Sequence, residues 1–195
     1  MDALTEQLMG QLAGAGVSQI SRKLGVNEQT ANAALSAALP LLVSALAKNA
    51  SRPAGAQALH QALVQDHDGS VLDDISGLVK NPQAANAAGI LKHVLGGQQP
   101  VIAKGLSQGT GLDGQQVGQL LQIAAPLVMG ALGQQQRKAG LDPNDLSTYL
   151  GKQQQKSQQS NPDMMNALNT LLDSDKDGSA VDDVLGTLGK LFGGK

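Results

Sequence analysis

The chain has 195 residues, a net charge of −2 at pH 7, no cysteine and only 1% aromatic residues. The lack of cysteine excludes disulfides, thiol catalysis and zinc–thiolate sites. The nearly balanced charge gives no general attraction to nucleic acid or to anionic membranes. Hydrophobic residues make up 41% of the chain. Nearly all are Ala, Leu, Val, Ile or Met, which favour closely packed helices, and no segment alternates with period two. We therefore predict an all-α fold.

The start of the chain argues against a secretory signal. Asp2 and Glu6 stand where such a signal would be basic. No uninterrupted apolar run reaches the length of a membrane span. We expect a cytoplasmic protein with no membrane span.

Two short helices, over 2–13 and 17–24, precede a long helix. Gly25 is a typical C-cap residue for the second short helix, and Asn27 is a typical N-cap residue for the long one. The long helix contains Pro40, which lacks a backbone N–H and clashes with the preceding turn. We expect this helix to kink at Pro40 or to divide into two.

Residues 24–46 recur at 110–132. The two stretches align without a gap at an offset of 86, with 8 of 23 positions identical, and Pro126 corresponds to Pro40. A shorter repeat pairs DHDGSVLDDI at 66–75 with DKDGSAVDDV at 175–184, with six of ten positions identical. These repeats predict a helical bundle of two duplicated halves that share one core, each with a proline-kinked long helix.

We place the boundary between the halves after Gly97, giving regions 1–97 and 98–195. Shorter helices are predicted over 53–64 and 71–79, from Pro82 to Gly96, and over 98–107. A further short helix begins at Asp142-Pro143 and runs to Leu150. The stretch KQQQKSQQS at 152–160 has five glutamines and no apolar residue. This composition predicts an exposed linker.

The last predicted helix has a continuous apolar face. Its apolar residues recur at i, i+3, i+4, i+7, i+10 and i+11: Val181, Val184, Leu185, Leu188, Leu191 and Phe192. Such a face packs on a core or binds a partner. It carries too little positive charge to favour an anionic bilayer.

The segment 89–142 resembles a bacterial family of unknown function, domain-of-unknown-function family 937. The resemblance rests on the run GILKHVLGG, the helix start TGLD and the segment AAPLVMGALGQQQ. It implies a small helical bacterial protein with two internal copies of the unit. It implies no activity, substrate or catalytic residue.

The acidic loop near the C-terminus follows part of the EF-hand pattern, which places oxygen ligands at positions 1, 3, 5 and 7, Gly at 6 and Glu at 12. Position 6 is Gly178, and position 12 is Val184, which cannot coordinate a metal. A calcium site here would use the following oxygen-bearing residues: Asp173, Asp175, Asp177, Ser179, Asp182 and Asp183.

A second interpretation needs no metal. Asp-Gly favours a turn with positive φ, and a pair of aspartates suits the first turn of a helix. The repeated copy at 66–74 retains DGSxxDD, the part that turn chemistry explains, and has Val64 where the first ligand would be. Calcium binding and a turn with a helix cap both remain open at 173–183.

The segment 20–35 resembles a helix-turn-helix in shape, with a short helix, a turn at Gly25 and a second helix. A recognition helix usually presents long basic or polar side chains to bases and phosphates. Here the second helix soon becomes apolar, and the corresponding segment of the second repeat lacks Arg22 and Lys23. Packing explains this motif better than DNA binding.

No catalytic motif is present: serine and histidine lack a nucleophile-elbow context, and the Gly-rich segments match neither GxGxxG nor a P-loop. The sequence therefore predicts a non-catalytic interaction or scaffold protein, with calcium as the one candidate cofactor. Its partner would be another protein or a second copy of the chain. The alternative is a DNA-associated helix-turn-helix protein.

Overall fold

The computed structural model describes residues 3–160, and in this range it contains α-helices and short 3₁₀ turns but no β-strand. The predicted all-α fold is confirmed. The α-helices are α1 (Ala3–Leu12), α2 (Ala15–Leu24), α3 (Glu28–Ala50), α4 (Pro53–Gln65), α5 (Ile75–Lys80), α6 (Ala87–Leu95), α7 (Gln99–Thr110), α8 (Gly114–Ala139) and α9 (Pro143–Ser160). The 3₁₀ turns are Ser70–Leu72, Pro82–Ala85 and Gly96–Gln98.

The two long helices, α3 and α8, form the centre of the bundle. They pack against each other, and α3 also contacts α1, α2, α4, α6, α7 and α9. Both are buried on nearly every side over their middle turns because these turns are built from Ala, Leu, Val and other apolar residues. One continuous cluster of buried side chains runs through both predicted halves, from Leu4 to Leu150.

The ends of the long helices follow the predicted capping chemistry. Gly25 ends α2 in the left-handed region at φ 69°, and Gly111 ends α7 at φ 73°. The side chain of Asn27 accepts a hydrogen bond of 2.8 Å from the backbone N–H of Thr30. Asp113 caps α8 in the same way, and Gln116 completes a reciprocal capping box. The predicted C-cap at Gly25 and N-cap at Asn27 are confirmed.

The prolines do not divide the long helices. Pro40 and Pro126 are both buried inside helices that continue on either side, so the predicted division into two helices is wrong, and the predicted kink stays a prediction. A proline inside a helix removes one hydrogen bond. The lost bond is one of many in a helix of 23 or 26 residues, and the surrounding helices hold both flanks in place.

The sequence offset of 86 is also visible in the order of elements. Helix α3 begins at Glu28 and α8 at Gly114, which differ by 86. Each long helix follows a short helix that ends at a left-handed glycine, and each precedes a helix that begins with proline, Pro53 or Pro143. The helices α1 to α4 therefore correspond in order to α6 to α9.

The expected linker at 152–160 is wrong: these residues form the second half of α9. Leu146, Leu150, Gln153 and Ser157 are all at most 5% exposed. Their spacing of i, i+4, i+7 and i+11 places them on one helix face. Composition misled the prediction because a glutamine and a serine occupy positions that face the core.

Two helices, α3 and α8, are long and apolar enough to cross a membrane by length and composition. Of their most apolar windows, 72% and 78% respectively is buried inside the bundle. The core helix of a soluble protein has the same properties, so the expected absence of a membrane span stays a prediction.

Candidate ligand-binding groove

The first acidic loop, which follows α4, is built from turn and cap interactions. The carboxylate of Asp68 accepts a hydrogen bond of 3.0 Å from the backbone N–H of Ser70, and Gly69 adopts φ 97°. Asp74 caps α5 by accepting a hydrogen bond of 2.8 Å from the N–H of Gly77. The part that both copies of the motif share, DGSxxDD, thus forms a turn and a helix cap here, as the turn interpretation predicts.

The same loop packs closely against α8 at two glycines and is hydrogen-bonded to an arginine of that helix. A Cβ atom on Gly133 would overlap the carbonyl oxygen of His67, and one on Gly130 would lie 2.5 Å from a methyl group of Val71. Arg137 donates a hydrogen bond to the carbonyl of Asp68, and its guanidinium lies 3.7 Å from the Asp68 carboxylate. The hydrogen bonds from Ser70, together with Arg137, lower the pKa of Asp68.

The acidic side chains of this loop do not form a metal site. No group of three or more His, Cys, Asp or Glu side chains that could hold an ion occurs within residues 3–160. The predicted calcium ligands Asp173, Asp175, Asp177, Ser179, Asp182 and Asp183 lie outside the described residues. The calcium prediction for 173–183 therefore remains a prediction.

An open groove of about 560 Å³ lies between α4 and α6, and we call it the α4–α6 groove. Its floor is formed by five apolar side chains from α3, α4, α6 and α8: Leu46, Leu59, Ile90, Val94 and Met129. Along one wall, Ala54 and Ala58 are exposed small residues of α4. Its size and apolar floor are typical of ligand-binding sites.

The two ends of the α4–α6 groove carry opposite charges. Arg52 immediately precedes α4 and Asp66 immediately follows it, so about 20 Å of helix separates them. Both line the groove and are exposed. Neither forms an ion pair with another residue of the described range. A ligand with complementary charges at its ends would therefore find partners at both ends.

The remaining polar groups of the groove hold its walls together. The side-chain amide of Asn49 in α3 donates to the backbone carbonyls of His93 and Val94 in α6, at 3.2 and 3.0 Å. These carbonyls belong to the last turn of α6, where helical partners are missing. Asn49 thus fixes the end of α6 against α3, and the groove is a preformed surface.

His67 separates this groove from a second, more polar recess. His67, Asp66 and Asn86 line both cavities, and the second recess also includes Asp68, Asp74 and Asn81. Partial burial lowers the pKa of the His67 imidazole, and the neighbouring Asp66 carboxylate opposes this shift. The imidazole is therefore held toward its neutral form in the wall between the cavities.

The helix-turn-helix segment packs into the bundle through most of its second helix. Helix α3 is buried from Ala34 to Ala47 except at the half-buried Ser36, and its exposed residues lie in its first turns and at Asn49. Gln116 at the start of α8 also donates a hydrogen bond of 2.9 Å to the carbonyl of Leu24. The packing interpretation therefore accounts for this segment, and the helix-turn-helix alternative stays a prediction.

Sequence reasoning did not identify the α4–α6 groove. Its floor combines residues from four helices that lie up to 83 positions apart, from Leu46 to Met129. The sequence contained one relevant signal, the small residues Ala54, Ala58 and Ala62 at intervals of four. Small residues on one helix face are common, so this signal alone does not predict a site.

Comparison with known proteins identifies a family but no activity. No curated protein and no solved structure matches the chain. Residues 6–135 match, as a single span that contains both long repeats, the family described as "Bacterial protein of unknown function (DUF937)". This span covers two thirds of the 195 residues, and the chain therefore belongs to the DUF937 family of bacterial proteins.

Proposed function

We propose that this protein is a non-catalytic binding module, and that its α4–α6 groove binds an amphipathic helical segment of a partner protein. The supporting observation is the combination of an apolar floor with opposite charges at Arg52 and Asp66, neither of which forms an ion pair with another residue of 3–160. Helix-in-groove recognition uses the same arrangement, in which an apolar helix face enters a groove and polar groups set its direction.

The shape of the groove favours a helix over a compact small molecule. The groove follows α4, which is 13 residues or about 20 Å long. Its α4 wall includes Ala54, Gly55 and Ala58, whose small size would let another helix backbone approach closely. A compact ligand would leave at least one of the two charged ends unused.

The direction of the bound helix follows from the charges. A partner helix with acidic residues in its first turn and a basic residue in its last turn would match Arg52 and Asp66 when it runs parallel to α4. Charges of this kind contribute more to orientation and specificity than to affinity. The apolar floor would supply most of the binding free energy.

A fluorescent peptide tests this proposal directly. The probe is a synthetic 12-residue amphipathic helix with an apolar stripe, two N-terminal aspartates and a C-terminal lysine, and the readout is fluorescence anisotropy. Ala58→Glu places a charge in the groove at an exposed position, so we expect it to weaken binding at least about tenfold. The matched control is Gln57→Glu, an exposed neighbour that does not line the groove.

Equal binding of the probe to the wild type, Ala58→Glu and Gln57→Glu would contradict the proposal. A probe with its terminal charges exchanged should bind the wild type more weakly. If both probes bind equally, the charged ends do not orient the ligand.

We also propose that the bundle arose by internal duplication. The support is the shared offset of 86, the corresponding caps Asn27 and Asp113, and the matching order of α1–α4 and α6–α9. An experimental structure in which α1–α4 superposes on α6–α9 through one rotation would support this origin. Two unrelated packings of the four helices would contradict it.

A further inference from the structure

We propose that residues 181–192 of the same chain bind in the α4–α6 groove, where they compete with the partner helix for the same site. This inference rests on the proposed function, because it assigns a regulatory role to the same site. Its basis is an apolar groove within the described residues and an apolar stripe in the 35 residues that follow Ser160.

The lengths are compatible. A helix of 12 residues is about 18 Å long, close to the roughly 20 Å of α4. The intervening residues 161–180 could span up to about 66 Å if extended. Helix α9, which is described as far as Ser160, packs against α4. The connecting segment is therefore long enough to bring the stripe to the groove.

The acidic start of the segment complements the basic end of the groove. Asp182 and Asp183 stand at the beginning of the stripe, and Lys190 stands near its end. Aligned parallel to α4, the two aspartates meet Arg52, and Lys190, eight residues after Asp182, lies level with His60, about 9 Å short of Asp66. The same alignment places acidic residues near the N-terminus of α4, where the helix dipole stabilises negative charge.

This alignment also predicts which residues meet. If Asp182 lies beside Arg52, then Leu188, six residues later, lies beside Ala58. Leu188 belongs to the apolar stripe and Ala58 is exposed in the groove wall. A second copy of the chain or another protein could occupy the same groove, and these alternatives give different results in the experiment below.

Disulfide trapping in the full-length chain tests the contact, because the natural sequence contains no cysteine. The test variant combines Ala58→Cys with Leu188→Cys. One control combines Ala58→Cys with Thr187→Cys, which is off the stripe, and the other combines Gln57→Cys with Leu188→Cys, which is off the groove. Crosslinking under mild oxidation is followed on non-reducing gels and by mass.

We expect the test pair to form an intramolecular disulfide at least about tenfold faster than either control, since a disulfide needs Cα atoms about 4.4–6.8 Å apart. Covalent dimers formed faster by the test pair would overturn the proposal and identify a second copy as the occupant. Equal rates for all three pairs would overturn it and leave the groove to a separate partner.

The anisotropy probe described above separates this inference from the proposed function. A tethered competitor acts at an effective concentration of about a millimolar. Full-length Leu188→Asp should therefore bind the probe at least about tenfold more tightly than the wild type, and Thr187→Asp should not. If the wild type and Leu188→Asp bind the probe equally, residues 181–192 do not compete for the groove, whereas the groove remains a binding site. The absence of binding in both would overturn the groove as a site.

Discussion

The side-chain oxygen of Gln153 accepts a hydrogen bond of 3.0 Å from the backbone N–H of Ala3, 150 positions earlier in the chain. Gln153 lies in the second half of α9 and is 5% exposed. The N–H groups of a first helical turn have no partner within their own helix. Gln153 therefore satisfies one such group and joins the two ends of the described chain.

This relationship predicts the effect of Gln153→Ala. The substitution removes the acceptor and leaves the Ala3 N–H without a partner, so we expect a loss of about 1–2 kcal/mol in the free energy of unfolding. Urea denaturation followed by circular dichroism measures this change. Gln155→Ala, at an exposed position of the same helix, is the matched control and should change stability by less than about 0.5 kcal/mol. Equal effects would mean that the hydrogen bond does not stabilise the fold.

Two glycines of α8 give a matched pair with opposite expected effects. The Cβ of Gly133→Ala would overlap the backbone carbonyl of His67, whereas that of Gly118→Ala meets no atom within 4 Å. We expect the first substitution to destabilise the fold by about 1–3 kcal/mol through overpacking. The second should stabilise it by roughly 0.5–1 kcal/mol, because alanine favours helix over glycine.

Thermal or urea unfolding of both glycine variants makes the comparison. If Gly133→Ala were as stable as Gly118→Ala, the loop at 66–70 would not be packed closely on α8. The α4–α6 groove would then lose the support of one wall, because His67 and Asp66 belong to this loop and line the groove.

The lowered pKa of His67 predicts a dependence of stability on pH. As the pH falls, His67 of the unfolded chain binds a proton near its ordinary pKa of 6.5, whereas His67 of the folded chain binds one only at a lower pH. The contribution of His67 to stability is therefore complete above pH 6.5 and decreases as the pH falls through 6.5 toward the lowered value. We expect His67→Asn to reduce the loss of stability between about pH 7 and pH 5.

Urea denaturation at several pH values, with the wild type and His67→Asn in parallel, measures this difference. Curves of stability against pH that run parallel for the two proteins would show that His67 titrates alike in the folded and unfolded states. Its burial between the two cavities would then not affect protonation.

The acidic loop at 173–183 can be tested by thermal melts with chelator and then with millimolar calcium. A calcium site predicts a rise in melting temperature, because a ligand at a hundredfold excess over Kd stabilises the folded state by about 2.7 kcal/mol. Asp175→Ala and Asp177→Ala should each abolish the rise. A well-folded protein with no rise would mean that DGSxxDD at 177–183 is turn and cap chemistry, as it is at 68–74.

Local sequence determined the class of fold, the caps and the correspondence of the two long helices. Asn27 and Asp113 cap their helices, and Gly25 and Gly111 end the preceding ones, through interactions within a few residues of sequence. The helical period of apolar residues and the near absence of aromatic residues then restrict the core to helix packing. Each of these features depends on short-range chemistry, which a sequence displays directly.

Three features depended on the tertiary structure: the continuation of α3 through Pro40, the helical state of 152–160 and the existence of the groove. Packing compensates for the hydrogen bond lost at Pro40, and contact with α1 and α3 orders the Gln-rich part of α9. The α4–α6 groove combines Leu46, Ile90 and Met129 with charges at the two ends of α4. These outcomes depend on which distant residues meet in space, and the free energy of those contacts outweighs the local preference of the chain.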